Sequence, residues 1–365
     1  MINVQFFPSR RIALYMARIF VLRCLAVLAA LVVILQTLDL LGESGKILAF
    51  PGNGDSELWR YVSLRLPQLV SRFLPFAVLL GTLITLAALN QNSEIVSMKA
   101  AGISAHQIIA PLILASLFIA AASFAFNERF VTRASETLSG WEEVNYGKVP
   151  RDSGVRPNVW VRFGDDLILA REVQAAGERT ELRNLTLYDR AGETLKAVIS
   201  ARRAVRTGDG WRLEDGSVFD VDTGRSERFA TRAWGRGLDP AQFTLAKVNA
   251  EEVDFSSLRK AVAALKAAGR DTAEIESGYW HKLSGPLSVV LMPLLAAVAA
   301  FGLARSGQLF VRAVIGMALG FAYFVADNFA LAMGSYGAYP PLAAAWAPFL
   351  LFLLIGETVL IRTEE

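Results

Sequence analysis

Two stretches of this chain, Phe73 to Leu89 and Ile108 to Phe126, contain no charged residue. Each is close to the length at which a helix crosses a hydrocarbon layer. A backbone in that layer must satisfy its own hydrogen bonds, which an α-helix does within a single segment. The two runs therefore predict membrane-spanning helices, and four further runs share their character. Ile19 to Leu41 is interrupted only by Arg23, Gln36, Thr37 and Asp39, and it is too long for the core of a cleaved signal peptide. Leu283 to Leu303 carries Pro286 and Pro293 as expected kinks, Ala313 to Met333 follows, and Pro341 to Ile361 closes the set. Arg10, Arg11 and Arg18 precede the first run, and Lys99, Arg305, Arg312 and Arg362 fall on the same side when the spans alternate. The bias of basic residues towards the cytoplasm then places both termini inside a multi-pass membrane protein.

The chain divides at residues 126 and 254. Residues 1–126 hold spans one to three, and Gly42 to Arg72 reads as a polar connection whose stretch Leu58 to Val70 leads into span two. From Asn127 to Asp254 the pattern changes to short β-favouring runs such as Val159 to Phe163, Leu167 to Ala170, Leu185 to Tyr188, Ala197 to Ser200 and Val218 to Val221. Hairpin chemistry separates them at Asp165-Asp166, Gly208-Asp209-Gly210 and Asp215-Gly216. This predicts an inserted all-β, jelly-roll-like domain on the outward side. Residues 255–365 carry an amphipathic helix from Phe255 to Ala268, ended by Gly269, and then spans four to six. Asp271 and Glu274 resemble a capping box that opens a helix entering the membrane near Tyr279-Trp280.

Composition narrows the function classes. The chain is 53% hydrophobic with a net charge of +3, and its basic residues are dispersed, which removes a nucleic-acid partner. The single cysteine, Cys24, sits inside the first apolar run, so the outward domain is held by its own core. No catalytic constellation, metal set or cofactor motif is present. His106 and His281 fall on opposite membrane faces and read as interfacial polar residues. The fragment Gly42-Glu43-Ser44-Gly45-Lys46-Ile47 lacks both the earlier glycine and the Ser or Thr of a phosphate loop, so any ATPase is another chain.

Three features carry the functional expectations. Asn90 to Ser104 is a short polar-edged segment between spans two and three. Ser93 and Glu94 can cap a helix over about 93–103, Ile95 and Met98 share a face, and Gly102 suits its end. Such a helix offers Glu94 for an ion pair, and Ile95 and Met98 for the groove of a docked cytoplasmic subunit. Asp327, beside Asn328, lies deep in span five, where an ionisable residue marks a helix interface or a gate. Lys46, Arg60, Arg65, Arg72, Arg129 and Arg133 gather on the outward side, against the usual charge bias, and could hold the phosphates of an anionic lipid.

The run Phe73-Leu74-Pro75 through Gly81 to Ser93-Glu94-Ile95-Val96-Ser97-Met98-Lys99-Ala100-Ala101-Gly102 resembles the lipopolysaccharide-export permease family, LptF/LptG, over nearly the whole chain. Asp39, the ending Leu265, Lys266, Gly269 and Asp271, and Asp327 after Phe321-Ala322-Tyr323-Phe324 favour the LptG branch. The resemblance implies an inner-membrane permease half without catalytic activity. Its partners would be an LptF-like subunit, a dimeric LptB-like ATPase, a bitopic LptC-like subunit and a periplasmic bridge protein, and its cargo lipopolysaccharide or a related glycolipid. It also implies that Ser93 to Gly102 is the coupling helix, that spans one and five line lateral gates, and that Asp39 stands with the basic set at the lipid. Gly42, Glu43 and Gln68 stand where some relatives have basic residues. The alternative is a membrane-anchored periplasmic sensor or scaffold that transports nothing.

Overall fold

The computed structural model describes residues 8–147, 155–174, 180–192, 194–208, 210–238, 240, 243, 249–267, 271–301 and 309–362. Among the described residues there are six long apolar helices, three shorter ones and an inserted six-stranded antiparallel sheet. The chain falls into two compact units, one of residues 1–148 with 249–365 and one of residues 149–248.

In the first unit α1 (Arg10–Ala49) and α2 (Asp55–Gln91) pack along each other, joined by only five residues. The polar connection expected over Gly42 to Arg72 is therefore almost wholly helical. Its glycines are tolerated because Ile47 is buried in a cluster with Tyr61, Leu138, Trp141 and Tyr146, which stabilises the extra turns more than Gly42 and Gly45 weaken them. The same geometry disposes of the Gly42 to Ile47 fragment as a loop. Where α1 crosses α2, a Cβ on Gly81 would stand 2.9 Å from both Cα and N of Cys24, so only glycine allows this approach.

A short helix α3 (Glu94–Ala100) links α2 to α4 (Ala105–Phe126). The β-domain does not begin at Asn127 as expected: α4 runs through a π-helical turn (Asn127–Val131) into α5 (Thr132–Glu143). This segment stays helical because Val131, Ala134, Leu138 and Trp141 recur on one buried face.

After the sheet come α6 (Phe255–Ala267), α7 (Ala273–Phe301), α8 (Leu309–Ser335) and α9 (Pro341–Arg362). Asp254 caps α6, accepting from Ser256 Oγ at 2.6 Å and from the Ser256 and Ser257 amides at 3.0 Å. These donors, the Ser256 side chain first, hold its carboxyl well below the usual carboxylate range. Asp271 accepts from the Ala273 amide at 2.9 Å at the start of α7. Gly269, expected to end α6, and Arg305 lie outside the described residues. α7 is the central helix and packs on α2, α4, α8 and α9. Ser284, Ser288, Ala296, Ala297 and Ala299 on its surface are small enough to let those neighbours close in.

The second unit contains β1 (Val155–Phe163), β2 (Asp166–Gln174), β3 (Glu181–Ala191), β4 (Thr194–Thr207), β5 (Gly210–Asp220) and β6 (Ser226–Trp234). The strands pair in chain order, so among the described residues the expected roll takes the simpler form of a meander. One face is apolar: Val161, Ile168, Leu187, Ile199 and Leu213 meet there. Trp211, which donates to the Leu238 carbonyl at 2.9 Å, closes one end.

Candidate functional site

α3 is a surface helix with a sharply defined exit. Gly102 at φ +82° takes the left-handed position, its amide bonds to the Lys99 carbonyl at 3.0 Å, and the Ile103 amide bonds to the Met98 carbonyl at 3.0 Å. This six-to-one and five-to-two pair is a Schellman closure. The entry differs from expectation. Ser93 is itself left-handed at φ 59° and its side chain caps nothing, so the helix opens on a tight turn rather than a serine cap. Ile95 and Met98 also depart from the role expected of them. Ile95 is buried in the core of its own bundle and Met98 packs against that core, so the apolar face of α3 is already largely used. The large apolar side chain that α3 leaves outward is Val96, 60% exposed. Glu94 is half-buried, and its carboxylate accepts from Tyr15 Oη at 3.3 Å and Asn92 Nδ2 at 3.4 Å, both neutral donors. Lys99 lies over the Phe301 ring at 5.1 Å.

The six basic residues do not form one open rim. Arg65 donates through Nε to Asp39 Oδ2 and through Nη2 to Asp39 Oδ1, each at 3.1 Å, and Tyr61 donates to Asp39 Oδ2 at 2.6 Å. A third Arg65 bond reaches Gln68, which in turn donates to Ser135. This network ties α1, α2 and α5 together, so Asp39 and Arg65 have a structural use that sequence spacing did not show. Lys46 pairs with Glu43 at 2.8 Å, and Arg60 stacks on Trp141 at 4.5 Å. Arg72, Arg129 and Arg133 are exposed and have no carboxylate in ion-pairing range among the described residues.

Asp327 and Asn328 face opposite ways. Asn328 is exposed and donates back to the Phe324 carbonyl at 2.8 Å. Asp327 is 8% exposed, and its Oδ2 stands 3.1 Å from His281 Nε2 on α7. His281, read from sequence as a bystander, is thus the partner that Asp327 lacked. The next residue, Lys282, crosses to the other side of α7 and donates to Glu128 Oε1 in the π-turn at 2.9 Å, while Glu128 Oε2 takes the Phe255 amide at 2.6 Å. Consecutive side chains of α7 therefore bind it to α8 and to the end of α4. Only a polar pair inside an apolar run hinted at them. Among the described residues no group of His, Cys, Asp or Glu could hold a metal ion.

A family described as "Lipopolysaccharide export system permease LptF/LptG" matches residues 14–362. The chain is similar to "Lipopolysaccharide export system permease protein LptG" of Escherichia coli (strain K12), 26% identical over 309 residues, which cover 83% of this chain and 84% of that protein. The protein of the same description from Haemophilus influenzae (strain ATCC 51907 / DSM 11121 / KW20 / Rd) is 25% identical over 331 residues, covering 86% and 89%.

Proposed function

The chain belongs to the LptF/LptG family of lipopolysaccharide export system permeases, and we propose on that ground that it is the LptG-type transmembrane half of an ATP-driven exporter of the inner membrane. It is a non-catalytic permease subunit. Its partners are an LptF-like half, a separate dimeric ATPase, a bitopic subunit and a periplasmic bridge that takes over the lipid. Lipid enters sideways between the helices, and closure of the ATPase is carried into the bundle through α3, with both termini and α3 in the cytoplasm. One observation carries this reading: α3 is anchored inward by Ile95, closed at Gly102, and leaves Val96 exposed beside the half-buried Glu94 carboxylate. Purifying the tagged chain in mild detergent is expected to bring a P-loop ATPase with it. Recovery without any ATPase would favour a sensor or scaffold instead.

The lipid headgroup is assigned to Arg72, Arg129 and Arg133, which internal pairs leave available. A phosphate held by a guanidinium is worth about 1.5–3 kcal/mol per bond. Changing all three to Ala is expected to lower photocrosslinking to lipid by tenfold or more with the fold intact. Arg65→Ala, by contrast, should lower the thermal unfolding midpoint because Asp39 loses its partner. Undiminished crosslinking in the triple variant would remove the assignment.

Asp327 is proposed as the polar point at which gate helix α8 is held to α7. Hydrogen bonds between membrane helices contribute about 1 kcal/mol, enough to bias a gate without locking it. Asp327→Asn can still bond to His281 and should transport normally. Asp327→Leu should slow transport severalfold while the ATPase stays bound, and equal transport rates in both variants would argue against the latch.

A further inference from the structure

The face of the sheet opposite its apolar core carries a groove that the transport reading does not use. Along β3, Leu182 and Leu185 are both buried with Arg183 and Asn184 exposed between them. Along β4, Ala201 and Ala204 are buried around exposed Arg202 and Arg203. The inside-outside alternation thus slips by one residue on adjacent strands, as at a bulge. The slip is aligned across the sheet. Arg171, Asn184, Arg202 and Asp215 all fall in the gap between flanking registered pairs on β2 to β5. Asn184 and Asp215 are left-handed there, at φ 50° and 52°. The result is a transverse crease, and strained non-glycine residues of this kind gather at binding sites.

The crease opens into a groove of about 630 Å³ that runs from Arg171 on β2 to Arg228 on β6. Four strand spacings make it about 19 Å long. Beside the crease lies a row of small hydroxyls, Thr186 against Ser200 and Ser200 against Ser217, which ends at Arg228. The arginines are unequally employed. Arg183 and Arg203 are held by Glu181 at 3.0 and 2.8 Å, and Arg203 first, then Arg183, keeps the Glu181 carboxyl below its ordinary value. In the groove, Arg171 and Arg228 have no carboxylate in ion-pairing range among the described residues, and Arg202 reaches only Asp215, at 3.9 Å with both side chains exposed. The groove therefore keeps a positive excess.

We propose that this groove binds an anionic saccharide, its phosphates or carboxylates on Arg171, Arg202 and Arg228 and its hydroxyls on Asn184, Thr186, Ser200 and Ser217. Planar guanidinium forks suit such oxyanions, and hydroxyl and amide groups match sugar hydroxyls. The hydroxyl row continues through Leu169 to Trp160, which is 52% exposed and stacked on Tyr188 with ring centroids 6.0 Å apart; an aromatic face at the end of a row of hydroxyls and arginines suits the apolar face of a sugar ring. The source of the sugar, the head of the exported lipid, rests on the transport reading; the site itself does not.

The test uses the full-length chain in nanodiscs and a lipid-free phosphorylated oligosaccharide released from lipopolysaccharide, with binding followed by calorimetry. Wild type should bind this probe, and the dephosphorylated oligosaccharide or inorganic phosphate alone at least tenfold more weakly. Arg171→Ala with Arg202→Ala and Arg228→Ala should lose at least tenfold in affinity, whereas Arg212→Ala, outside the groove, should not. Ser200→Trp keeps every charge but fills the groove, and it too should block binding if the multiple variant proves poorly folded. No binding by wild type, phosphate binding as tight as the oligosaccharide, or unaltered binding in the Ser200→Trp variant would each overturn the proposal. An ATPase copurifying with a chain that ignores the oligosaccharide would sink this inference and leave the transport reading standing.

Discussion

Glu94→Arg is expected to abolish lipid export while the bundle stays folded. The carboxylate sits on the first turn of α3 and has only the neutral Tyr15 and Asn92 as hydrogen-bond donors. No cationic side chain pairs with it among the described residues, which leaves it able to meet a cation on the ATPase. Losing one side of a docked charge pair costs about 2–5 kcal/mol, or roughly thirtyfold to several thousandfold in affinity. Reversing the sign adds repulsion. The anchor Ile95 and the closure at Gly102 are untouched, so the thermal midpoint should not move. Two measurements check this: the amount of ATPase copurified with the variant, and ATP-dependent release of lipid from reconstituted complex. Normal export by the variant would end the case for α3 as the mechanical link.

Lys282→Met should be the most damaging single change to stability. The ammonium is 7% exposed and its partner Glu128 18% exposed, so removing the cation strands a carboxylate among apolar helices. Such a loss costs about 3–5 kcal/mol. Replacing both partners, Lys282→Met with Glu128→Gln, removes the stranded charge and leaves an amide oxygen to accept from the Phe255 amide. The double variant should recover most of the loss, and denaturant titration in detergent measures the difference. A double variant as unstable as the single one would mean that the pair is not what holds α7 to the π-turn. The same comparison separates packing from charge, because Met fills nearly the volume of the lysine stem.

How legible the molecule was depends on how local the cause is. The apolar cores of the spans could be read directly, since each helix answers to hydrocarbon segment by segment. Their ends could not. Gly42, Gly45 and the polar residues around them look like a loop, and only the burial of Ile47 against Tyr61 and Trp141, brought in by α2 and α5, keeps the helix going. Asn127 to Glu143 was misplaced for the same reason. At the candidate site, the position and exit of α3 were visible in Gly102. Which way Ile95 points was not, because a short amphipathic helix has an apolar face that suits its own bundle or a partner equally well. The basic set looked uniform in sequence, and tertiary pairing divided it into engaged and available members.

By itself the sequence determined that six segments are helical and apolar enough to cross a membrane, and that a block of short strands interrupts them, since both follow from side-chain character within a few residues. Only the tertiary structure decided that Asp327 meets His281, 46 residues away, and that Lys282 meets Glu128, 154 residues away. Close packing of helices selects such pairs: a polar group in an apolar interior must find whichever partner the neighbouring helix brings within bonding distance, and no local pattern names that partner in advance.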